Sequence, residues 1–263
     1  MNRAIVIQHI GKKFIPYRSG RRLPAKKNQD YITACDDINF EVSQGELVGL
    51  IGSNGSGKTT LLRILSTAYL PDSGDALING FSLKKEEQKV KDSINFLSSE
   101  NTNFYGRLTG RQNLDFFAAF GGIPVQEAQA KIRYWADWFK ITEYLDNIFQ
   151  SYSSGIRQRC HLLRWMLFDK PVLLLDEPTK NLDPAIAKKF LVYLKEELVV
   201  KQAKAAIMTS HSLEEVSQVA DQIAVIQCGQ LKIFEQAAQL KIKMGAGNTL
   251  QGFLEPLYRG ADS

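Results

Sequence analysis

The run IGSNGSGKTT, residues 51–60, follows the apolar stretch GELVGL and leads into LLRIL, whose spacing reads as a helix. Glycine gives up more backbone entropy on folding than any other residue, so a cluster of it needs a physical reason. Read as G-x-x-x-x-G-K-[ST], the stretch is Gly52, Ser53, Asn54, Gly55, Ser56, Gly57, Lys58 and Thr59, with Thr60 next. The glycines let successive backbone N–H groups curl around an anion, and the following helix aims its positive end at the same point. Lys58 neutralises outer phosphates, and the Thr59 hydroxyl ligates the magnesium that accompanies them. A glycine turn without function also joins strands to helices. The strand–loop–Lys–Thr–helix context favours a nucleotide-phosphate site.

Around this loop, apolar β-rich runs recur: AIVIQHI, INFEV, GELVGLIG, DALING, SINFLSS, PVLLLDEP, AAIMTS and QIAVIQCGQLKIF. Helical patterns lie between several of them, including KTTLLRILSTAY, TGRQNLDFFAAFGG, VQEAQAKIRYWADWFKI, IRQRCHLLRWMLF and AIAKKFLVYLKEELVVKQ. Such alternation predicts an α/β core whose continuous apolar runs are central parallel strands. The stretch from about 91 to 167 is nearly all helical in pattern and rich in aromatics, so it is expected to form an inserted helical subdomain. The core then comprises about 1–90 and 168–236, and 237–263 forms a short tail.

The chain has 263 residues, 44% of them hydrophobic and 23% charged, enough for a sizeable core. No apolar run approaches the roughly 18–20 residues of a membrane helix, so the chain is expected to be soluble by itself. Cys35, Cys160 and Cys228 form no C-x-x-C pair, as expected of reduced thiols in the cytosol. Part of the net charge of +5 is local: KKFIPYRSGRRLPAKKNQ carries Lys12, Lys13, Arg18, Arg21, Arg22, Lys26 and Lys27 with no acid. It reads as a loop facing solvent, a partner or lipid headgroups. No nucleic-acid partner is expected.

A phosphate cradle calls for a second acid site on a neighbouring strand, and PVLLLDEPT supplies it. Asp176 is placed to hold magnesium through its water shell. Glu177 stands to orient or deprotonate the water that attacks the γ-phosphate in line. TKNLD, Thr179 to Asp183, does not read guanine as N-K-x-D would, because its Asp falls one position late.

Between loop and acids, SYSSGIRQR lies 95 residues past Lys58 and 23 before Asp176 at its Ser153. Here the chain resembles the ATP-binding-cassette (ABC) transporter ATPases, whose signature reads L-S-G-G-Q. Tyr152, Ser154 and Ile156 depart from it, whereas Ser153 and Gly155 are kept. The resemblance implies a P-loop NTPase (RecA-like) core with an antiparallel β subdomain and the inserted helical subdomain. It also implies that Ser153, Ser154 and Gly155 cap the γ-phosphate of ATP bound to a second copy, in a head-to-tail dimer. On the same ground Asp183 lies on the dimer seam, and His211 contacts the γ-phosphate. Phe14 stacks on adenine, with Tyr17 and Tyr31 as alternatives. The family's magnesium-touching Gln is missing: its place falls at Ser99, or at Glu100 if the loop slips by one. Tyr105, Phe104 and Leu108 are candidates for gripping a membrane partner, or simply for core.

The implied protein binds ATP and Mg2+, hydrolyses ATP, and sits at the cytoplasmic face of the inner membrane on separate integral-membrane permease subunits. The wording YSSGIRQR and LTGRQNL most resembles bacterial exporters of drugs, lipids or polysaccharides. Two rivals are a soluble ABC ATPase of translation or DNA repair and a non-enzymatic nucleotide-binding module. A single cassette argues against the first, and the set Lys58, Thr59, Asp176, Glu177 and His211 against the second.

Overall fold

The structure, a computed structural model, describes residues 2–15, 31–99, 104–210 and 212–244. Its first half runs β1 (Arg3–Phe14), β2 (Ile32–Ser43), β3 (Leu47–Ile51), α1 (Lys58–Leu65), β4 (Ser73–Ile78), β5 (Phe81–Ser82), α2 (Glu87–Ser93) and β6 (Ile94–Leu97). There follow α3 (Gly110–Phe120), α4 (Val125–Trp138), α5 (Ser154–Met166), β7 (Val172–Asp176), α6 (Pro184–Tyr193) and β8 (Ala205–Thr209). The described chain ends with α7 (Leu213–Val219), β9 (Gln222–Gln227), β10 (Gln230–Gln236) and α8 (Ala237–Met244).

The strands form two sheets, one of order β2-β1-β4-β5 and one of order β10-β9-β3-β8-β7-β6. Pairings in the first are antiparallel. In the second, β9, β3, β8, β7 and β6 run parallel and only β10 is antiparallel. Every residue of β3, β7 and β8 is buried, which is why these runs are apolar throughout rather than alternating. The two faces nevertheless serve different cores. Val48, Leu50, Val172, Leu174, Ala205 and Ile207 pack with α1 and the antiparallel sheet. Leu47, Ile51, Leu173, Leu175, Ala206 and Met208 pack with the helical layer.

Helix α1 thus lies between the sheets with Leu61, Leu62, Ile64 and Leu65 fully buried, so the loop that opens it rests on a fixed base. The helical layer closes on aromatic rings. Phe139 and Phe190 are fully buried with centroids 6.5 Å apart, and Trp165 lies 6.2 Å from Phe190. Phe139→Ala is expected to cost about 3–5 kcal/mol, because surrounding rings cannot close the cavity it leaves. A urea unfolding midpoint compared with wild type checks it.

Several expectations change. The stretch from 91 does not begin as helical subdomain, since Ile94–Leu97 pairs with β7 inside the parallel sheet. Its helices come later, from Gly110 on. Lys12 and Lys13 are not in a loop: both lie on β1, and Lys12 Nζ pairs with Asp72 at 2.8 Å. Residues 16–30 of that basic segment fall outside the described residues. The expected tail starts with α8, which buries Ala237 and Leu240 in the core. The long pattern AIAKKFLVYLKEELVVKQ splits into α6 and a π-helical continuation over Leu194–Lys201. Among the described residues no helix is long and apolar enough to cross a membrane.

Candidate functional site

The phosphate loop leaves β3 and turns into α1 at Lys58. Gly57 has φ +111, and a Cβ there would collide with the Ala34 carbonyl oxygen on β2; only glycine satisfies both conditions. Gly52 is bound sterically instead, since a Cβ would meet the Ile226 carbonyl oxygen. The Lys58 ammonium curls back under the loop, donating to the carbonyl oxygens of Gly52 at 2.8 Å and Ser53 at 2.9 Å. Burial pushes its pKa below the ordinary value, and the charges of Glu177 and Asp176 oppose that shift.

Beside the loop lies a cavity of about 250 Å³ lined by Phe14, Ile32, Ala34, Asn54 to Thr60, and Glu177. Phe14 is therefore brought next to the phosphate loop, as an adenine-facing ring requires. Tyr31 does not line this cavity, and Tyr17 lies outside the described residues. Ile32 and Ala34 form a wall that nothing in the local pattern had marked. Ser56 is buried, and its hydroxyl has no hydrogen-bond partner among the described residues. A buried polar atom left so is costly, and a phosphate oxygen in the cradle would satisfy it.

Asp176 gathers three hydroxyls. Thr59 donates to its Oδ1 at 3.2 Å, Thr209 to the same oxygen at 2.7 Å, and Ser99 to its Oδ2 at 2.7 Å. The acid strand is not beside the phosphate-loop strand, contrary to expectation: β8 lies between them, and Thr209 at its end bridges the gap. Thr209 also accepts from the Glu177 backbone N–H at 2.9 Å, so one side chain locates both acids. Its only signal in the sequence was a place at the end of an apolar strand. Glu177 itself has φ +50, a left-handed conformation that non-glycine residues seldom adopt. Glu100 and His211 lie outside the described residues. Ser210 and Ser212, which flank His211 in the sequence, share a cavity with Glu177.

A second anion-binding terminus stands elsewhere. Ser153 caps α5 by accepting from the Ile156 N–H at 3.3 Å, Ser154 is exposed beside it, and Gly155 is half-buried. None of the three lines the phosphate-loop cavity. This helix start is tied to the segment after the acids: Gln158 donates to the Pro178 carbonyl at 2.8 Å, and Arg159 pairs with Asp183 at 2.6 Å. Asp183 caps α6 through the Ile186 N–H, which holds its carboxyl below the usual range, and the Arg159 charge adds to that. Phe104 stacks on Phe149 at 4.4 Å within the helical layer, whereas Tyr105 is exposed. The expected gripping residues therefore divide between core and surface.

A β-strand feeding a glycine cradle into a buried helix, with a carboxylate two strands away, defines a P-loop nucleotide-binding protein. The family model of the ABC transporter matches residues 35–180, and the chain belongs to that family. The ABC transporter ATP-binding protein NatA of Bacillus subtilis is 30% identical over 211 residues, 80% of this chain and 84% of NatA. The uncharacterized ABC transporter ATP-binding protein YhcH of the same organism is 37% identical over 199 residues, 76% of this chain and 64% of YhcH. The probable multidrug ABC transporter ATP-binding protein YbhF of Escherichia coli is 30% identical over 206 residues, and the chain spans 35% of that protein's length. Among solved structures, an ATP-binding subunit of an ABC transporter aligns over 99% of this chain and 100% of its own, with TM-score 0.77 and 21% identity. A dimeric post-hydrolysis ATP-binding cassette bound to ADP and Pi aligns over 89% of this chain and 98% of its own, at TM-score 0.75 and 21% identity. The protein is an ABC transporter ATPase subunit that binds and hydrolyses ATP.

Proposed function

We propose that this ATPase works as a head-to-tail pair, each copy's phosphate loop facing the other's α5 start across a shared ATP. What carries the reading is the separation of two anion-binding termini in one chain: exposed Ser153 and Ser154 stand outside the cavity that the phosphate loop lines. That a cassette among the structural neighbours is dimeric and bound to ADP and Pi supports reading the chain as one of a pair.

In each half-site Gly52 to Gly57 and Lys58 bind the phosphates, and Phe14 stacks on the base. Glu177 accepts the proton of the attacking water, and His211 contacts the γ-phosphate. The oxygens of Thr59, Asp176 and Ser99 form a hard donor set that suits Mg2+, with Asp176 acting through water. When bound, the ion would neutralise charge on the phosphate oxygens. Ser99 stands where the family has Gln, and its short side chain leaves turnover more dependent on a partner.

The pair is read as powering export, through separate integral-membrane permease subunits at the cytoplasmic face of the membrane. A drug-like, lipid or polysaccharide substrate fits the exporter wording, and YbhF's description as a probable multidrug protein supports it. Exposed Tyr105, Phe116 and Phe120, in ring contact along one side of α3, offer the membrane subunit an apolar grip. ATP-driven closure and hydrolytic release then shift the population of the pair, which moves the attached subunits.

Ser153→Arg tests the shared site. The variant is expected to bind ATP as wild type does while losing ATP-dependent dimerisation, read by light scattering, and the cooperativity of hydrolysis. Unchanged dimerisation and an unchanged Hill coefficient would remove the proposal.

A further inference from the structure

The segment after the acids folds into consecutive turns. The Lys180 N–H bonds back to the Glu177 carbonyl at 3.2 Å, and Leu182 N–H to that of Thr179 at 3.0 Å. Glu177 and Asn181 both sit at positive φ, +50 and +63. This winding brings the Lys180 side chain over Glu177, where its ammonium lies 3.0 Å from the Glu177 Oε2. The two partners differ in freedom: the Glu177 side chain is 14% exposed and that of Lys180 57%. Among the described residues, other charged groups about Glu177 include Lys58, Asp176 before it, and Glu215 across a cavity of about 290 Å³. Glu215 is itself engaged, accepting from the Ser210 hydroxyl at 2.7 Å.

From this geometry we infer that Lys180 is a positioning residue that restrains Glu177 and slows ATP hydrolysis until the pair is broken. The inference rests on the reading of Glu177 as the group that accepts the water's proton. A carboxylate oxygen already taking a charge-assisted hydrogen bond is a weaker acceptor for any further donor, including a water molecule. The half-exposed lysine is free to leave, because an ion pair open to solvent is held only weakly. Closure on ATP, which brings new charge to this seam, is where the release would occur.

The test is steady-state hydrolysis by the full chain carrying Lys180→Met, Lys180→Arg or Glu177→Gln. Lys180→Met is expected to raise kcat about two- to fivefold with KM unchanged, since an exposed pair contributes little. Lys180→Arg, which restores the cation, is expected to bring kcat back toward wild type. Raising salt from low ionic strength should speed wild type relative to Lys180→Met, because ions screen the pair. A lower kcat in Lys180→Met, or an unchanged kcat with the same salt response as wild type, overturns the inference while leaving Glu177 in place if Glu177→Gln is inactive. A Glu177→Gln variant hydrolysing at wild-type rate overturns both.

Discussion

Glu177→Gln is expected to hydrolyse ATP at least about a hundredfold more slowly than wild type, with ATP affinity preserved. The substitution keeps the size of the side chain and removes its charge, and with it the capacity to take a proton and the ion pair with Lys180. Its backbone anchor, the N–H donated to Thr209, is untouched, so the left-handed turn at this residue should persist. The phosphate loop and Asp176 are unaltered, which is why binding survives. With hydrolysis blocked, ATP should hold the pair closed, and light scattering should report a stable dimer only when ATP is present. Single-turnover hydrolysis at the wild-type rate would remove Glu177 from the chemistry altogether.

Lys58→Ala should act one step earlier. Its ammonium is buried beneath the loop, and hydrogen bonds from such a charged donor to an anionic ligand are worth about 1.5–3 kcal/mol each. Losing one or two such bonds weakens ATP roughly a hundredfold, at about 1.4 kcal/mol per factor of ten. Thermal unfolding gives a direct reading. At ATP one hundred times the wild-type dissociation constant, wild type gains about 2.7 kcal/mol, whereas a hundredfold weaker variant gains about 0.4 kcal/mol. The variant should therefore lose most of its ATP-dependent rise in melting temperature. In the absence of ATP the Gly52 and Ser53 carbonyls lose their donor, a modest cost in a loop open to solvent. An ATP-dependent rise equal to that of wild type would show that the lysine does not face the phosphates.

Local chemistry was legible wherever a residue's role follows from its neighbours along the chain. Glycines that admit positive φ, a lysine and threonine opening a helix, and two acids closing an apolar strand all announce themselves in a dozen residues. The same holds for the fully apolar runs of β3, β7 and β8, whose lack of alternation marks burial on both faces. Ser99 was reached by register, and its hydroxyl does donate to Asp176.

Other features were decided only when the chain folded. Strand order depends on which crossovers pack, so the placement of β8 between β3 and β7 left no local trace. With it came Thr209, an ordinary strand-end residue until it bridges to Asp176. Likewise Lys12 reads as part of a basic loop until Asp72, far along the chain, pairs with it on β1. Phe104 and Tyr105 are adjacent aromatics, and only packing sends one into the helical core and leaves the other exposed. The order of residues along the chain is enough to call for a phosphate cradle, an acid pair and parallel strands to carry them. The tertiary structure decided what stands beside what, because contacts such as Thr59 with Asp176, 117 positions apart, arise from buried faces meeting rather than from any pattern along the chain.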